Sequence, residues 1–303
     1  MKRLLKRFAF VLVALIATLG VTFWLRPLAV FGVFSEAQMY RIGATSDFIQ
    51  IEGYRIHYYA LGPADGPVVV LVHGLGGRSE DWTNLAPYLA NSGYRVYLPD
   101  LPGFGRSEKP ANFSYSVSDQ TKIVAGFFDA LRLKQVDLGG WSMGGWIVQI
   151  VAREHPDRVR RLMLFDSAGL YFKPEWNLAL FTPVSAAELA KFYALLMPHP
   201  PNVPGFVARD ILRSSHEHAW VIHRAIDSML TGRDTTDKLL PDLKMPVLIE
   251  WGDVDQITPL SLGEKMHQLI PQSQMNVVSG CGHLAPTECA DQMGPAAVRF
   301  LKE

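Results

Sequence analysis

Gly140-Trp141-Ser142-Met143-Gly144 lies where the hydrophobic pattern changes period. Before it runs a short apolar stretch, Val136-Asp137-Leu138-Gly139. After it, Gly145-Trp146-Ile147-Val148-Gln149-Ile150-Val151-Ala152 has helical spacing. A serine flanked at two residues on each side by glycine, at a strand-to-helix junction, fits a turn so tight that larger residues would collide. Such a turn holds the serine in a strained backbone conformation. Its hydroxyl then stands at a helix N-terminus, where the partial positive charge favours a developing anion. A glycine-rich turn with no chemical role has the same spacing, so the weight falls on what surrounds it.

Outward from this turn, the chain alternates strands and helices. Phe48-Ile49-Gln50-Ile51 and Tyr54–Tyr59 flank Glu52-Gly53 and read as a hairpin. Val68–Val72 is a continuous β-branched run, expected of a strand buried on both faces. A helix over Ser79–Ala90, a strand at Tyr94–Leu98, a loop to Pro110 and a helix over Ser118–Leu131 lead into the serine turn. Strands at Val159–Phe165, Val247–Trp251 and Gln274–Val278 follow, with helices at Leu260–Leu269 and Glu288–Leu301. The order implies an α/β fold: a mainly parallel sheet with helices on both faces. The gap between Phe165 and Val247 is too long for one crossover helix. It holds two helical patterns, Ser185–Leu196 and Val207–Leu230, split by Pro198, Pro200, Pro201 and Pro204. Residues 169–240 therefore read as an inserted helical cap.

A serine hydroxyl needs a base, and the base needs an orienting carboxylate. In this topology they follow the serine in the order acid, then histidine, at the ends of later strands. Among nine histidines only His283 lies on a glycine-flanked loop after a candidate acid. Asp255, in Gly252-Asp253-Val254-Asp255, is the preferred acid; Asp253 next to the glycine reads as shaping the turn. Asp166, ending the preceding strand, is the other candidate. An oxyanion needs two backbone N–H donors. Met143 supplies one and Leu75, in His73-Gly74-Leu75-Gly76-Gly77, the other, leaving both side chains to line an acyl pocket. His216, His218 and His223 read as a partly exposed polar helix face rather than a metal site. The aromatics Phe172, Trp176, Phe181, Phe192, Tyr193, Phe206 and Trp220 read as cap packing, with Phe192 or Trp220 on an acyl tunnel.

The 303 residues are 49% hydrophobic and 19% charged, with no net charge. Nothing in that balance suggests nucleic acid. Four of the 29 positive charges, Lys2, Arg3, Lys6 and Arg7, precede an uncharged apolar run from Phe8 to Leu25. As a helix this run nearly spans a bilayer core. Its length favours an uncleaved anchor over a cleaved signal peptide. The basic head stays cytoplasmic by the positive-inside rule, sending the body to the far side; a secreted or periplasmic chain after cleavage is the alternative. The division read is an anchor at 1–26, an interfacial linker at 27–47 containing the short apolar patch Leu28–Phe34, and a catalytic body at 48–303. Cys281 and Cys289 make neither a disulfide framework nor a metal cluster. Two buried thiols account for them, with pairing in an oxidising compartment as the other reading.

The chain resembles the α/β-hydrolase family through His73-Gly74-Leu75-Gly76, Asp100-Leu101-Pro102-Gly103-Phe104-Gly105-Arg106-Ser107, Gly140–Gly145, Gly252–Asp255 with Pro259, and Gly282-His283. The resemblance implies an α/β-hydrolase fold with Ser142 as nucleophile, Asp255 as acid and His283 as base. Leu75 and Met143 would be the oxyanion donors, with no cofactor and no metal. With the anchor, the whole is similar to membrane-bound monoacylglycerol lipase-type esterases, which act on small ester or lipid substrates. Serine at the elbow departs from the aspartate of the family's dehalogenases and epoxide hydrolases. The family's C–C bond hydrolases also use serine, but they typically carry tryptophan after the histidine, where this chain has Leu284. That activity is the alternative; a catalytically inert binding module of the same fold is a third reading.

Overall fold

The computed structural model describes residues 2–303. Helices α1 (Lys2–Leu25) and α2 (Pro27–Arg41) precede the body. The hairpin β1 (Thr45–Ile51) and β2 (Tyr54–Leu61) opens the sheet, followed by β3 (Val68–Val72), helix α3 (Ala86–Asn91) and β4 (Arg95–Pro99). Next come α4 (Val117–Ala130), β5 (Val136–Trp141), α5 (Met143–Glu154) and β6 (Val159–Phe165). Cap helices α6 (Ala186–Leu196) and α7 (Gly205–Leu230) precede β7 (Val247–Gly252) and α8 (Leu260–Leu269). Strand β8 (Ser273–Val278) and helices α9 (Ala285–Glu288) and α10 (Ala290–Lys302) end the chain.

The eight strands lie in the order β1-β2-β4-β3-β5-β6-β7-β8. The β1–β2 and β2–β4 pairs are antiparallel and the rest parallel. Alternation along the strands splits the interior into two cores. Val70 and Val72 join Leu138, Leu164 and Ile249 beneath α4, α5 and α8. Val69 and Leu71 join Met163, Phe165 and Leu248 on the opposite side, with α3 and α10. Ser116 caps α4 and Ser185 caps α6, each hydroxyl accepting the N–H three residues on. Because β3 is flanked by β4 and β5, the strand order reverses there. The crevice beyond the carboxyl ends is where an open α/β sheet binds ligands.

The structure refines three local readings. Ser79–Ala90 is not one helix: a short 3-10 turn, Ser79–Trp82, precedes α3, whose start carries Pro87. Proline suits a first helical turn, not an interior. The last helix, α10, lies where expected, and a separate single turn, α9, precedes it. The apolar patch Leu28–Phe34 is the start of the fifteen-residue helix α2, which fills most of the segment 27–47. Pro27 and Met39 are buried while Phe31, Val33 and Phe34 stay exposed.

Within α1, Lys6–Leu25 is long and apolar enough to cross a membrane, and none of it is buried against the body. The α1–α2 elbow is docked on the start of α7. Trp24 stacks on Phe206 with ring centroids 4.8 Å apart. The Leu28 N–H donates to Asp210 Oδ2 at 3.0 Å. Burial alone would raise the Asp210 pKa, but the Leu28 N–H, Arg213 and Arg26 outweigh it and hold the carboxylate low.

Candidate active site

The serine turn has the strain its glycines suggested. Ser142 sits at φ 56°, ψ −120°, between β5 and α5. For a residue with a side chain this costs on the order of 1–3 kcal/mol, so its surroundings must enforce it. They do: the Ser142 N–H donates to Phe165 O at 3.1 Å, and Ser142 O accepts from Trp146 and Ala168. A Cβ at Gly140 would stand 2.4 Å from Gly144 O, and one at Gly144 only 2.1 Å from Val72 O. Both glycines are there because backbone occupies the space.

Three side chains from three loops converge on this point. His283, after β8, has Nε2 2.9 Å from Ser142 Oγ and Nδ1 2.8 Å from Asp255 Oδ2. With a carboxylate on Nδ1, the ring proton belongs there, and the Nε2 lone pair faces the hydroxyl. Asp255, after β7, is buried. Its Oδ1 accepts the N–H groups of Ile257 and Thr258 at 2.7 and 3.0 Å. The Trp141 indole N–H donates to His283 O at 2.7 Å, tying the histidine loop to the end of β5.

Thr258 was not singled out from the sequence. Its hydroxyl is 2.7 Å from Asp255 Oδ2, 3.2 Å from His283 Nδ1 and 3.0 Å from Asp166 O. The one available signal was its place three residues after the acid, where a hydroxyl can fold back. Asp253 bonds the Gly280 N–H at 2.7 Å and the Ser279 hydroxyl at 3.1 Å, fastening the start of the histidine loop. Asp166 does not reach His283. Its Oδ1 accepts the Gly252 N–H at 2.8 Å and its Oδ2 has no partner among the described residues. Burial, with Asp255 and Glu250 nearby, raises it well above the usual carboxylate range.

The other histidines fall elsewhere. His57 pairs with Asp100 at 2.8 Å inside the body. His73 is fully buried beneath the Gly74–Gly77 loop. Its Nδ1 meets Gly74 O at 2.8 Å, and its Nε2 accepts the Leu101 N–H at 3.0 Å. That pattern assigns the proton to Nδ1, and burial, opposed by Asp100, lowers the ring's pKa. A neutral imidazole thus braces the loop carrying Leu75. The Leu75 N–H has no acceptor among the described residues, and Met143 opens α5, where N–H groups lack helical partners. Gly74 brings the loop close: a Cβ there would lie 3.0 Å from Ser142 Cβ. His216 and His223 lie on the exposed face of α7, but His218 does not; it faces a cavity.

Two cavities meet at Ser142. The smaller, about 240 Å³, is walled by Leu75, Met143, Trp146, Phe172, Trp176, Phe181, Ile226 and Met229. The larger, about 620 Å³, runs under α7 and reaches His283, Lys109, Arg78 and Leu28. Phe192 lines the larger one. Trp220 lines neither; it packs edge-on against Tyr115 at 5.5 Å, which removes it from the tunnel reading.

Cys281 and Cys289 are joined, not the two thiols expected. The chain turns back between β8 and α10, placing their Cα atoms 6.4 Å apart, within bridging range. The bridge encloses His283.

Residues 67–217 and 224–288 match the family described as the alpha/beta hydrolase fold. Lipase 1 of Psychrobacter immobilis is 29% identical over 258 residues, 79% of this chain and 78% of its own length. The 2-hydroxymuconate semialdehyde hydrolase of Pseudomonas putida is 30% identical over 268 residues, 83% of this chain and 92% of its own. Among solved structures, a membrane phospholipase A, a bacterial virulence factor, superposes with TM-score 0.85 at 26% identity, covering 98% of both chains. That coverage leaves no room to omit α1 and α2. The chain belongs to the α/β-hydrolase family.

Proposed function

We propose that this α/β-hydrolase is a serine hydrolase of carboxylic esters, a lipase or esterase held at a membrane by α1. The observation that carries the reading is the chain of contacts from Asp255 through His283 to Ser142, 2.8 and 2.9 Å long, on the strained turn. Ser142 Oγ attacks the ester carbonyl while His283 Nε2 takes its proton. The oxygen anion that forms is met by the Leu75 and Met143 N–H groups. Collapse breaks the C–O bond, and His283 returns the proton to the leaving alcohol. Water repeats the sequence on the acyl-enzyme and releases the acid. Asp255, holding Nδ1–H, stabilises the imidazolium of each step, and Thr258 keeps Asp255 in place. No cofactor enters these steps.

Lipase 1 and the membrane phospholipase support ester chemistry, while the P. putida hydrolase is as similar and supports the C–C alternative. The apolar smaller cavity, suited to an acyl chain, favours the ester. The basic residues at the start of α1 and the Cys281–Cys289 bridge support a catalytic body beyond the membrane, in an oxidising compartment.

The test is an ester panel against a vinylogous diketone, run with the full chain, with Ser142→Ala, and without residues 2–25. The expected result is ester turnover, lost in Ser142→Ala. In the truncated chain it survives on soluble short esters and falls on bilayer lipid. Preferential cleavage of the diketone would establish the C–C alternative. The cut stops short of α2, whose Leu28 N–H is bonded to Asp210 of α7.

A further inference from the structure

The two cavities share a small boundary. Of the residues lining them, three line both: Ser142, Leu75 and Phe181. The cavities therefore join at the nucleophile, in a neck bordered by one side chain from the sheet and one from the cap. Leu75 lies on the loop after β3, and Phe181 ends the 3-10 turn Leu178–Phe181.

An ester at Ser142 has its carbonyl carbon in this neck. Its departing oxygen must receive a proton from His283, which borders the larger cavity and not the smaller. The acyl chain therefore enters the smaller cavity, and its first carbon passes beside Leu75 and Phe181. This placement rests on the ester reading above.

The Phe181 ring has little freedom to yield. Trp176 packs on it with ring centroids 5.5 Å apart, and Phe192 with centroids 5.1 Å apart. Trp176 lines the smaller cavity and Phe192 the larger, so an aromatic row crosses from one to the other through Phe181. The Trp176 indole N–H donates to Ile257 O at 3.3 Å, which fastens the row to the loop carrying Asp255. A ring held between two others cannot swing aside without overlapping a neighbour. Leu75 is held by its main chain, on the loop braced by the buried His73. Neither wall of the neck can retreat. A methylene next to the carbonyl presents only hydrogens to these walls. A quaternary carbon presents methyl groups, and forcing extra methyls against fixed neighbours is overpacking.

We propose that Phe181, opposed by Leu75, sets acyl specificity at the first carbon: unbranched acyl groups are accepted, and those branched next to the carbonyl are excluded. The discrimination is steric and belongs to the neck, apart from the chain length that the smaller cavity holds.

The experiment compares isomers. p-Nitrophenyl pentanoate and p-nitrophenyl 2,2-dimethylpropanoate share a leaving group and an acyl carbon count and differ only in branching. The full-length protein in detergent is given each. The readout is the kcat/KM ratio, linear over branched, divided by the same ratio for alkaline hydrolysis without enzyme. The quotient removes intrinsic reactivity, and any loss of folded enzyme cancels within it. The expected wild-type quotient is at least about 30. In Phe181→Ala it falls about tenfold or more, and Phe181→Leu lies between. Phe172→Ala, which enlarges the smaller cavity away from the neck, leaves it within about twofold. A wild-type quotient near one, a quotient unmoved by both Phe181 variants, or one lowered as far by Phe172→Ala overturns the proposal while leaving the ester reading intact. Failure to cleave either ester overturns the ester reading itself.

Discussion

Gly144→Ala sets two physical effects of opposite sign against each other. Position 144 is the second residue of α5, and alanine is the better helix former by about 1 kcal/mol. Propensity alone therefore makes the variant more stable. The packing says otherwise. The added Cβ would sit 2.1 Å from Val72 O and 2.5 Å from His73 O, both backbone atoms that no rotamer change can move aside. Reaching even a tight contact of about 3.0 Å requires α5 and the end of β3 to part by roughly 0.9 Å, an overpacking cost of about 1–3 kcal/mol. The two parts that separate are the ones carrying Ser142 with Met143 and the Leu75 loop. A misplacement near 1 Å between reacting groups costs on the order of 10²-fold in rate. The expected variant is folded, melts below wild type, and loses about 100-fold in kcat on p-nitrophenyl butyrate with KM within about threefold. Calorimetry and initial-rate kinetics on one preparation give both numbers. A variant with wild-type kcat and a raised Tm would refute the reasoning, because helix propensity would then have won over a contact that is not tight.

The two candidate acids separate by isosteric replacement. Asp255→Asn turns the wrong face to His283 Nδ1 and should lower kcat by about 10⁴-fold; Asp166→Asn replaces a buried acid that does not touch His283 and should keep kcat within about threefold. Equal losses from both would mean that the acid role is shared. Glu250 predicts a pH dependence of stability. Burial, opposed by the Asn276 amide and Arg299, pushes its carboxyl up to about 8. As pH rises through the ordinary carboxylate range the unfolded chain ionises first. Stability therefore declines by about 1.4 kcal/mol per pH unit until the folded group also ionises. Glu250→Gln removes this slope, so its Tm relative to wild type should rise steadily between pH 5 and pH 8; parallel melting profiles would contradict the assignment. Replacing Cys281 and Cys289 by serine opens a loop closed across a sequence separation of 8. On chain entropy this costs about 2.6 kcal/mol, read as a fall in denaturation midpoint at constant m-value, and an unchanged midpoint would deny the bridge any stabilising part.

Where the sequence was informative, the cause was local. A tight turn between strand and helix excludes side chains at Gly140 and Gly144, and that exclusion is visible as glycine. Likewise Asp255 and His283 stand at strand ends, so the periodic pattern that marks β7 and β8 also marks their loops. Where it was silent, the cause was tertiary. Whether Cys281 and Cys289 pair depends on a chain reversal between β8 and α10 that no spacing rule specifies. Helix α2 runs on through the polar residues Ser35, Glu36 and Gln38, so its apolar start looked like an isolated patch. Its footing is an N–H bond to Asp210, 182 residues away. That His218 lines a cavity was hidden by His216 and His223, its neighbours in sequence. Only the rotation of α7 over the sheet decides which of the three faces inward.

The account stands on Ser142 being a nucleophile made reactive by His283. Stoichiometric fluorophosphonate followed by intact-mass and peptide mapping tests this directly, on the wild type and on His283→Ala. The predicted result is one adduct per chain, on Ser142, formed at least about 10³-fold more slowly in His283→Ala. An adduct on another residue, none at all, or equal rates with and without the imidazole would contradict it.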